Sequence, residues 1–301
     1  MSVSESKTAG GHSPASPASG QREVTYATMG IVLCILSMFS VQIGAALSKS
    51  VMQDLGSFGT TWLRLCIAAV ALNLIVRPRV RTYERRHWLA AAALGGSMAT
   101  MTLCFFAAIE RIPLGLAVAI DFLGPLTIAT LYGIGRLRFL CPVIAAAGVL
   151  CLAWDGTTWP GEIIGVVLAM GAAVGWGGYV LLMKHVGQLF SGLEGLAVSL
   201  AFAGAMATPL GLPEVGPGIT LELAVITALL AFLVPLLPYA LEYVALRRMR
   251  AAAFGILMSL EPAIAAVTGS IILGQSLTSG QFFGVALVVA ASAAGALINS
   301  G

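Results

Sequence analysis

The chain has 301 residues, of which 58% are hydrophobic and only 10% charged, and its mean hydropathy is +0.95; soluble domains carry about 25% charged residues. The formal net charge of +3 is too small to mark a nucleic-acid partner. Composition therefore excludes an ordinary soluble domain and a nucleic-acid binder, and points to an integral membrane protein.

Residues 1–24 are rich in Ser, Ala, Gly and Pro and hold no apolar run. They read as a disordered cytoplasmic tail rather than a signal peptide, which needs an apolar stretch near its start. Ten apolar runs of roughly bilayer length then follow in chain order, at 26–47, 58–76, 88–109, 114–133, 139–154, 162–183, 193–210, 222–246, 251–273 and 280–298. They are taken as spans 1 to 10, the first of them uncleaved. The connections are short and no soluble domain is inserted. A GxxxxGK[ST] phosphate loop is absent, so no ATP hydrolysis is expected. Cys34, Cys66, Cys104, Cys141 and Cys151 all fall inside spans and read as small apolar fillers rather than a disulfide framework. His12, His87 and His185 are scattered, so neither a metal site nor a cofactor is expected.

Lys and Arg in short loops set the orientation. With the N-terminus inside, thirteen basic residues (Lys7, Arg22, Arg77, Arg79, Arg81, Arg85, Arg86, Arg136, Arg138, Lys184, Arg247, Arg248 and Arg250) face the cytoplasm, and only Lys49 and Arg111 face out. Both termini are therefore expected inside. Lys49 and Lys184 end spans 1 and 6 and are read as snorkelling to the interface.

Two spans carry an acid beside a helix-breaking proline: Asp121 in GLAVAIDFLGPLTIA, with Pro125 four residues on, and Glu261 in FGILMSLEPAIAA, with Pro262 next. An ionisable group at membrane depth costs about 2.5–3.5 kcal/mol even on the lenient insertion scale and marks an ion or substrate path by default. Proline frees the carbonyl four residues earlier, here those of Asp121 and Met258. Broken helices near mid-bilayer are typical of secondary transporters.

The two acid–proline stretches also align with each other. At an offset of 137, Leu123-Gly-Pro125 lies over Leu260-Glu-Pro262 and Ala129 over Ala266. The expected units are therefore two five-helix repeats, 25–155 and 156–301. Five is odd, so the second repeat enters from the opposite side, an inverted repeat that suits alternating access.

The stretch LPYALEYVALRRMRAAAFGILMSLEPAIAAVTGSIILGQSLT, residues 237–278, resembles the EamA-type branch of the drug/metabolite transporter superfamily, and IPLGLAVAIDFLGPL and WLRLCIAAV resemble the matching parts of its first half. The resemblance covers roughly residues 26–298. Within the superfamily the likeness is to exporters of the threonine/homoserine type, and more loosely to those of aromatic amino acids. It implies a ten-helix bundle in the bacterial inner membrane that exports amino acids. One departure is Gln275, after Gly274, where the family usually has an acid.

Arg64 and Asp121 form the first candidate site. Each lies about 9–10 Å below the outer end of its span at 1.5 Å per residue. They either hold the carboxylate and ammonium of an amino acid, a guanidinium suiting a carboxylate, or form a structural ion pair between spans 2 and 4. Glu261 and Glu242 form the second: with Asp121 they are the proton-coupling candidates. Glu261 alternatively braces the Pro262 kink, and Glu242 makes an interfacial salt bridge near Arg247 and Arg248. Trp176, Tyr179, Tyr239 and Tyr243 suit the wall of a small amphipathic ligand site or an interfacial belt. The glycines around them (Gly171, Gly175, Gly177, Gly178) read as close-packing sites. Gln42, Ser97, Thr100 and Ser259 complete the substrate-lining candidates, with helix packing as the alternative for each.

The expected fold is an all-α membrane bundle of ten helices in two inverted repeats. The expected function is export of amino acids, threonine- or homoserine-like and open to methionine and aromatics, driven by the substrate gradient or an opposing proton flux. A permease for another metabolite or a drug cation is the alternative. An ion channel is less favoured, since no ring of like groups occurs. No covalent change is made, so no enzyme is expected. The partners are a small amino acid, protons and the bilayer, with oligomeric state open.

Overall fold

The computed structural model describes residues 17–132, 140–153, 162–216, 219–246 and 257–298. Among these, all regular structure is helical and no strand occurs. Lipid offers no hydrogen-bond partners, so an apolar chain must satisfy its backbone within helices. The helices are α1 (Pro17–Leu55), α2 (Ser57–Val76), α3 (Arg85–Ile109), α4 (Leu114–Asp121), α5 (Leu123–Tyr132), α6 (Leu140–Ala153), α7 (Glu162–Leu189), α8 (Glu194–Val215), α9 (Leu221–Ala231), a π-type segment (Phe232–Leu236), α10 (Leu237–Leu246), α11 (Glu261–Leu273) and α12 (Ser279–Ile298).

Five stretches are long and apolar enough to cross a membrane: Thr28–Leu55, Ser57–Val76, Arg85–Ile109, Ile163–Leu189 and Glu194–Val215. Five shorter apolar helices accompany them. Breaks account for part of the shortness: α4 gives way to α5 at Phe122, and α9 reaches α10 through the π-type segment. Each expected span thus meets a helix or a broken helix. One boundary differs. α1 begins at Pro17, inside the expected 1–24 tail; residues 1–16 of that tail lie outside the described residues, as do Arg136, Arg138, Arg247, Arg248 and Arg250 of the orientation argument.

α3 packs on α7 and α8, α2 on α8, α1 on α10 and α11, α4 on α11, and α6 on α12; α4 and α5 also meet α7. All eight residues of α4 are buried; seven of them are apolar or glycine, as a helix buried on every side requires, and the eighth is Asp121. Around it Phe105, Phe106, Ile109, Ile112 and Leu152 form the main core. Large aliphatics point outward instead: Ile75 is 75% exposed and Ile271 77%. Such apolar exposure suits contact with lipid rather than water.

Small residues and sparse polar contacts hold the helices together, as expected where lipid provides no hydrophobic drive. α6 and α12 cross at Gly148 and Gly284. A Cβ on Gly148 would sit 2.7 Å from the Gly284 carbonyl, and one on Gly284 2.5 Å from that of Gly148, so any larger residue forces the pair apart. Between α2 and α8, Trp62 Nε1 donates to Thr208 Oγ1 at 2.9 Å and Asn73 Nδ2 to the Ala197 carbonyl at 2.8 Å. Contacts also join helix ends. The Gly59 N–H donates to Glu214 Oε2 at 2.8 Å, the Leu114 N–H to Gln275 Oε1 at 3.2 Å, and the Tyr83 hydroxyl to the Glu194 carboxylate at 2.5 Å. Gln275, the departure noted in the sequence, thus serves as an acceptor for the first turn of α4.

Candidate functional site

Three helix interruptions converge on one cavity of about 140 Å³. α4 ends at Asp121, Phe122 forms a turn, and α5 resumes at Leu123. Pro125 has no N–H to offer the Asp121 carbonyl. On the other side, residues 257–258 are helical, Ser259 and Leu260 form a turn, and α11 starts at Glu261. Pro262 is therefore in the first turn of a helix, where its missing N–H has no partner to lose. The interruption expected at Pro262 thus lies at Ser259 and Leu260, two to three residues before it. The Glu261 carboxyl also lies in that first turn, the end where the helix dipole favours negative charge.

The third interruption is sharper than either. Val234 is extended (φ −149°, ψ 110°) inside the π-type segment, followed by Pro235. Side chains take up the carbonyls this frees: Ser40 Oγ donates to Leu233 O at 2.9 Å and Arg64 Nη2 to Val234 O at 3.0 Å. Gly44 of α1 makes room, because a Cβ there would meet the Val234 side chain at 2.5 Å.

The cavity wall is mainly apolar and aromatic, with Met101, Phe105 and Phe106 from α3 and Trp176 and Tyr179 from α7. Trp176 is held edge-on against Phe122, ring centroids 5.6 Å apart. Into this wall are set the hydroxyl of Thr102, the amide of Gln42 and the carboxyls of Asp121, Glu242 and Glu261. Gln42, Asp121 and Glu261 are 1%, 6% and 5% exposed. Gln42 Nε2 donates to Glu261 Oε1 at 3.2 Å, and Ser37 Oγ donates to Glu242 Oε1 at 2.7 Å. Three acceptors remain without a partner: Gln42 Oε1, Asp121 Oδ1 and Glu261 Oε2. A buried polar atom left so costs about 1–3 kcal/mol. A ligand with several N–H donors would offset that cost, as a primary ammonium does.

Arg64 is placed differently from its expectation. It is 3% exposed and does not line the main cavity. Its Nη1 donates to Ser48 Oγ at 3.1 Å, its Nη2 to the Val234 carbonyl, and its guanidinium lies 4.1 Å from the Phe106 ring centroid. Among the described residues the ion pairs are the exposed Arg86–Glu84 and Arg111–Glu110, so the structural Arg64–Asp121 ion pair is not formed. Glu242 likewise faces the cavity and Ser37; Arg247 and Arg248, its expected partners, lie outside the described residues.

Of the other candidates, Gln42, Trp176 and Tyr179 line the cavity. Ser97 does not; its hydroxyl donates to the Gly175 carbonyl at 2.7 Å and ties α3 to α7. Thr100 is exposed on the opposite face of α3, and Thr102 takes the position in the wall. Ser259 is buried in the turn before α11 and is not among the lining residues. The side chains of Tyr239 and Tyr243 lie outside the described residues. The glycines of α7 pack as expected: a Cβ on Gly175 would reach the Met101 backbone at 2.6 Å. The residues missed include Met101, Thr102, Phe105, Phe106 and Val234. Pro235 and Pro238 within span 8 were the one available signal for the third break.

Comparison with known proteins fits this architecture. The description of the EamA-like transporter family matches residues 28–152 and 163–294. The threonine/homoserine exporter RhtA of Escherichia coli (strain K12) is 34% identical over 269 residues, covering 87% of this chain and 89% of its own. The threonine/homoserine exporter RhtA of Salmonella typhimurium (strain LT2) is 33% identical over 267 residues with the same coverage. A solved crystal structure aligns with a TM-score of 0.59 at 17% identity, over 93% of this chain and 98% of that one, a likeness of fold alone. The chain belongs to the EamA-like transporter family of multi-pass membrane proteins, and its work is transport rather than catalysis.

Proposed function

We propose that the chain exports small amino acids of the threonine or homoserine type across the bacterial inner membrane, through the cavity between Asp121, Gln42 and Glu261. The observation that carries this is the set of three buried acceptors without partners in a cavity of about 140 Å³. An α-ammonium group supplies donors for all three. A cavity of about 150 Å³ in another protein accepts benzene, and threonine is only slightly larger. Methionine and the aromatic amino acids, which the sequence leaves open, require the cavity to widen. The relatives named as threonine/homoserine exporters support the same substrate class.

Transport by alternating access rests on the repeat. Exchanging span n with span n+5 maps the α3–α7 contact onto α10–α1 and the α4–α7 contact onto α11–α1, and maps α2–α8, α4–α11 and α6–α12 onto themselves. The two matched family stretches also fall one on each half. Both facts support two inverted halves around a central site. The contacts at helix ends fit ten crossings, and the basic residues support cytoplasmic termini. Asp121, Glu242 and Glu261 are the groups that would exchange protons if export runs against a proton flux.

A second reading has one observation behind it. The described cavity wall holds three carboxyls and no Lys or Arg, which suits an amine cation. Counterflow in proteoliposomes separates the two: labelled threonine and homoserine are expected to exchange and tryptophan not. Exchange of simple amines without any amino acid would overturn the amino-acid reading.

A further inference from the structure

Arg64 borders a second, smaller void of about 20 Å³, enclosed by α2, α3 and the break at Val234. Three of its wall residues, Thr102, Val234 and Pro235, also line the main cavity. The two spaces are therefore neighbours across a thin wall. The void admits about one water-sized group. Arg64 meets it with an unusual deficit. Both terminal nitrogens are engaged, yet Nε has no partner, and no carboxylate pairs with the guanidinium among the described residues. A buried cation without a counter-charge is costly. Across the wall, Asp121 and Glu261 show the complementary deficit, carboxylate oxygens without donors.

We propose that this void is a carboxylate subsite: one carboxylate oxygen of the transported amino acid enters it and accepts from Arg64 Nε, while the ammonium remains with Asp121, Gln42 and Glu261. The proposal rests on the amino-acid reading of the main cavity and adds to it. The three acids alone favour any amine, whereas the arginine behind the wall selects amines that carry a carboxylate. Thr102 is the side chain of α3 that both spaces share, and Phe106, which lines the main cavity, lies with its ring centroid 4.1 Å from the guanidinium, so a shift of Thr102 brings the two compartments into contact.

The test uses the full chain in proteoliposomes with labelled-threonine counterflow, inhibited by unlabelled threonine or by threoninol, which replaces the carboxylate with an alcohol. The wild type is expected to prefer threonine by roughly tenfold or more, the scale of a hydrogen bond to a charged group. Thr61→Leu fills the void and leaves both existing Arg64 bonds in place; it is expected to bring the ratio close to one by weakening threonine and not threoninol. Arg64→Lys keeps the charge and removes Nε, and is expected to do the same. If Arg64→Lys fails to accumulate in the membrane, Thr61→Leu decides. A wild-type ratio retained in Thr61→Leu overturns the subsite alone. Absence of threonine counterflow in the wild type overturns the amino-acid reading and the subsite with it.

Discussion

Two sets of side-chain acceptors in this chain differ in one respect. At the helix ends, Glu214 and Gln275 each receive a backbone N–H from the first turn of a neighbouring helix. At the cavity, Asp121 and Glu261 keep oxygens that receive nothing, although both are far more deeply buried. The first arrangement is what a folded chain does with a polar group when stability is the only demand. The second leaves stability unused, which is the ordinary condition of a binding site. Neither acidity nor burial separates these two sets; a missing partner together with a place in the cavity wall does, since Ser199 and Ser292 also lack partners but do not line that cavity.

The largest effect expected from this contrast is on transport. Asp121→Asn and Glu261→Gln should each weaken threonine exchange by about tenfold to a hundredfold, the range of a charged hydrogen bond. Neither should lower the thermal midpoint, because neutralising a buried unpaired charge relieves desolvation. A fall in both stability and transport would make these acids structural and erase the contrast.

Next in size is the opposite pattern at the helix ends. Glu214→Ala should destabilise by about 0.5–2 kcal/mol, as loss of a helix-end acceptor does, with threonine affinity unchanged. Gln275→Ala should cost about 1 kcal/mol by the same mechanism, and Gln275→Glu should largely restore it, since a carboxylate at that first turn is favoured. Thermal unfolding in detergent reads both. The smallest effect is expected at Thr100. It faces outward from α3, so Thr100→Ala should change stability by no more than about 0.5 kcal/mol and leave exchange untouched.

Much of this was legible in the sequence because lipid imposes a narrow rule on backbone. Long apolar runs had to be helices, and an acid followed by proline had to mark a helix interruption at depth. Asp121 and Glu261 were found that way, Gln42 as a polar residue inside a span and Trp176 as an aromatic among glycines. For Arg64 only the ion pair with Asp121 failed, because depth along a helix says nothing of its azimuth: equal depth left open whether the two faced each other, and Phe106 stands beside the guanidinium. Thr100 was chosen over Thr102 for a related reason, since two hydroxyls two positions apart point to different faces of a helix and the apolar surroundings did not reveal which face was lipid. Phe105 and Phe106 carried no mark separating a cavity wall from a lipid face. The Val234 break escaped because Pro235 and Pro238 of span 8 were not read as lost donors.

We propose that Asp121 Oδ1 and Glu261 Oε2 stay without a donor so that a ligand's ammonium can complete them. Threonine counterflow in proteoliposomes, compared between wild type and the Asp121→Asn/Glu261→Gln double variant alongside their thermal midpoints, tests it most directly. Exchange lost at an unchanged or higher midpoint is the predicted result. Exchange retained at the wild-type rate would contradict the account.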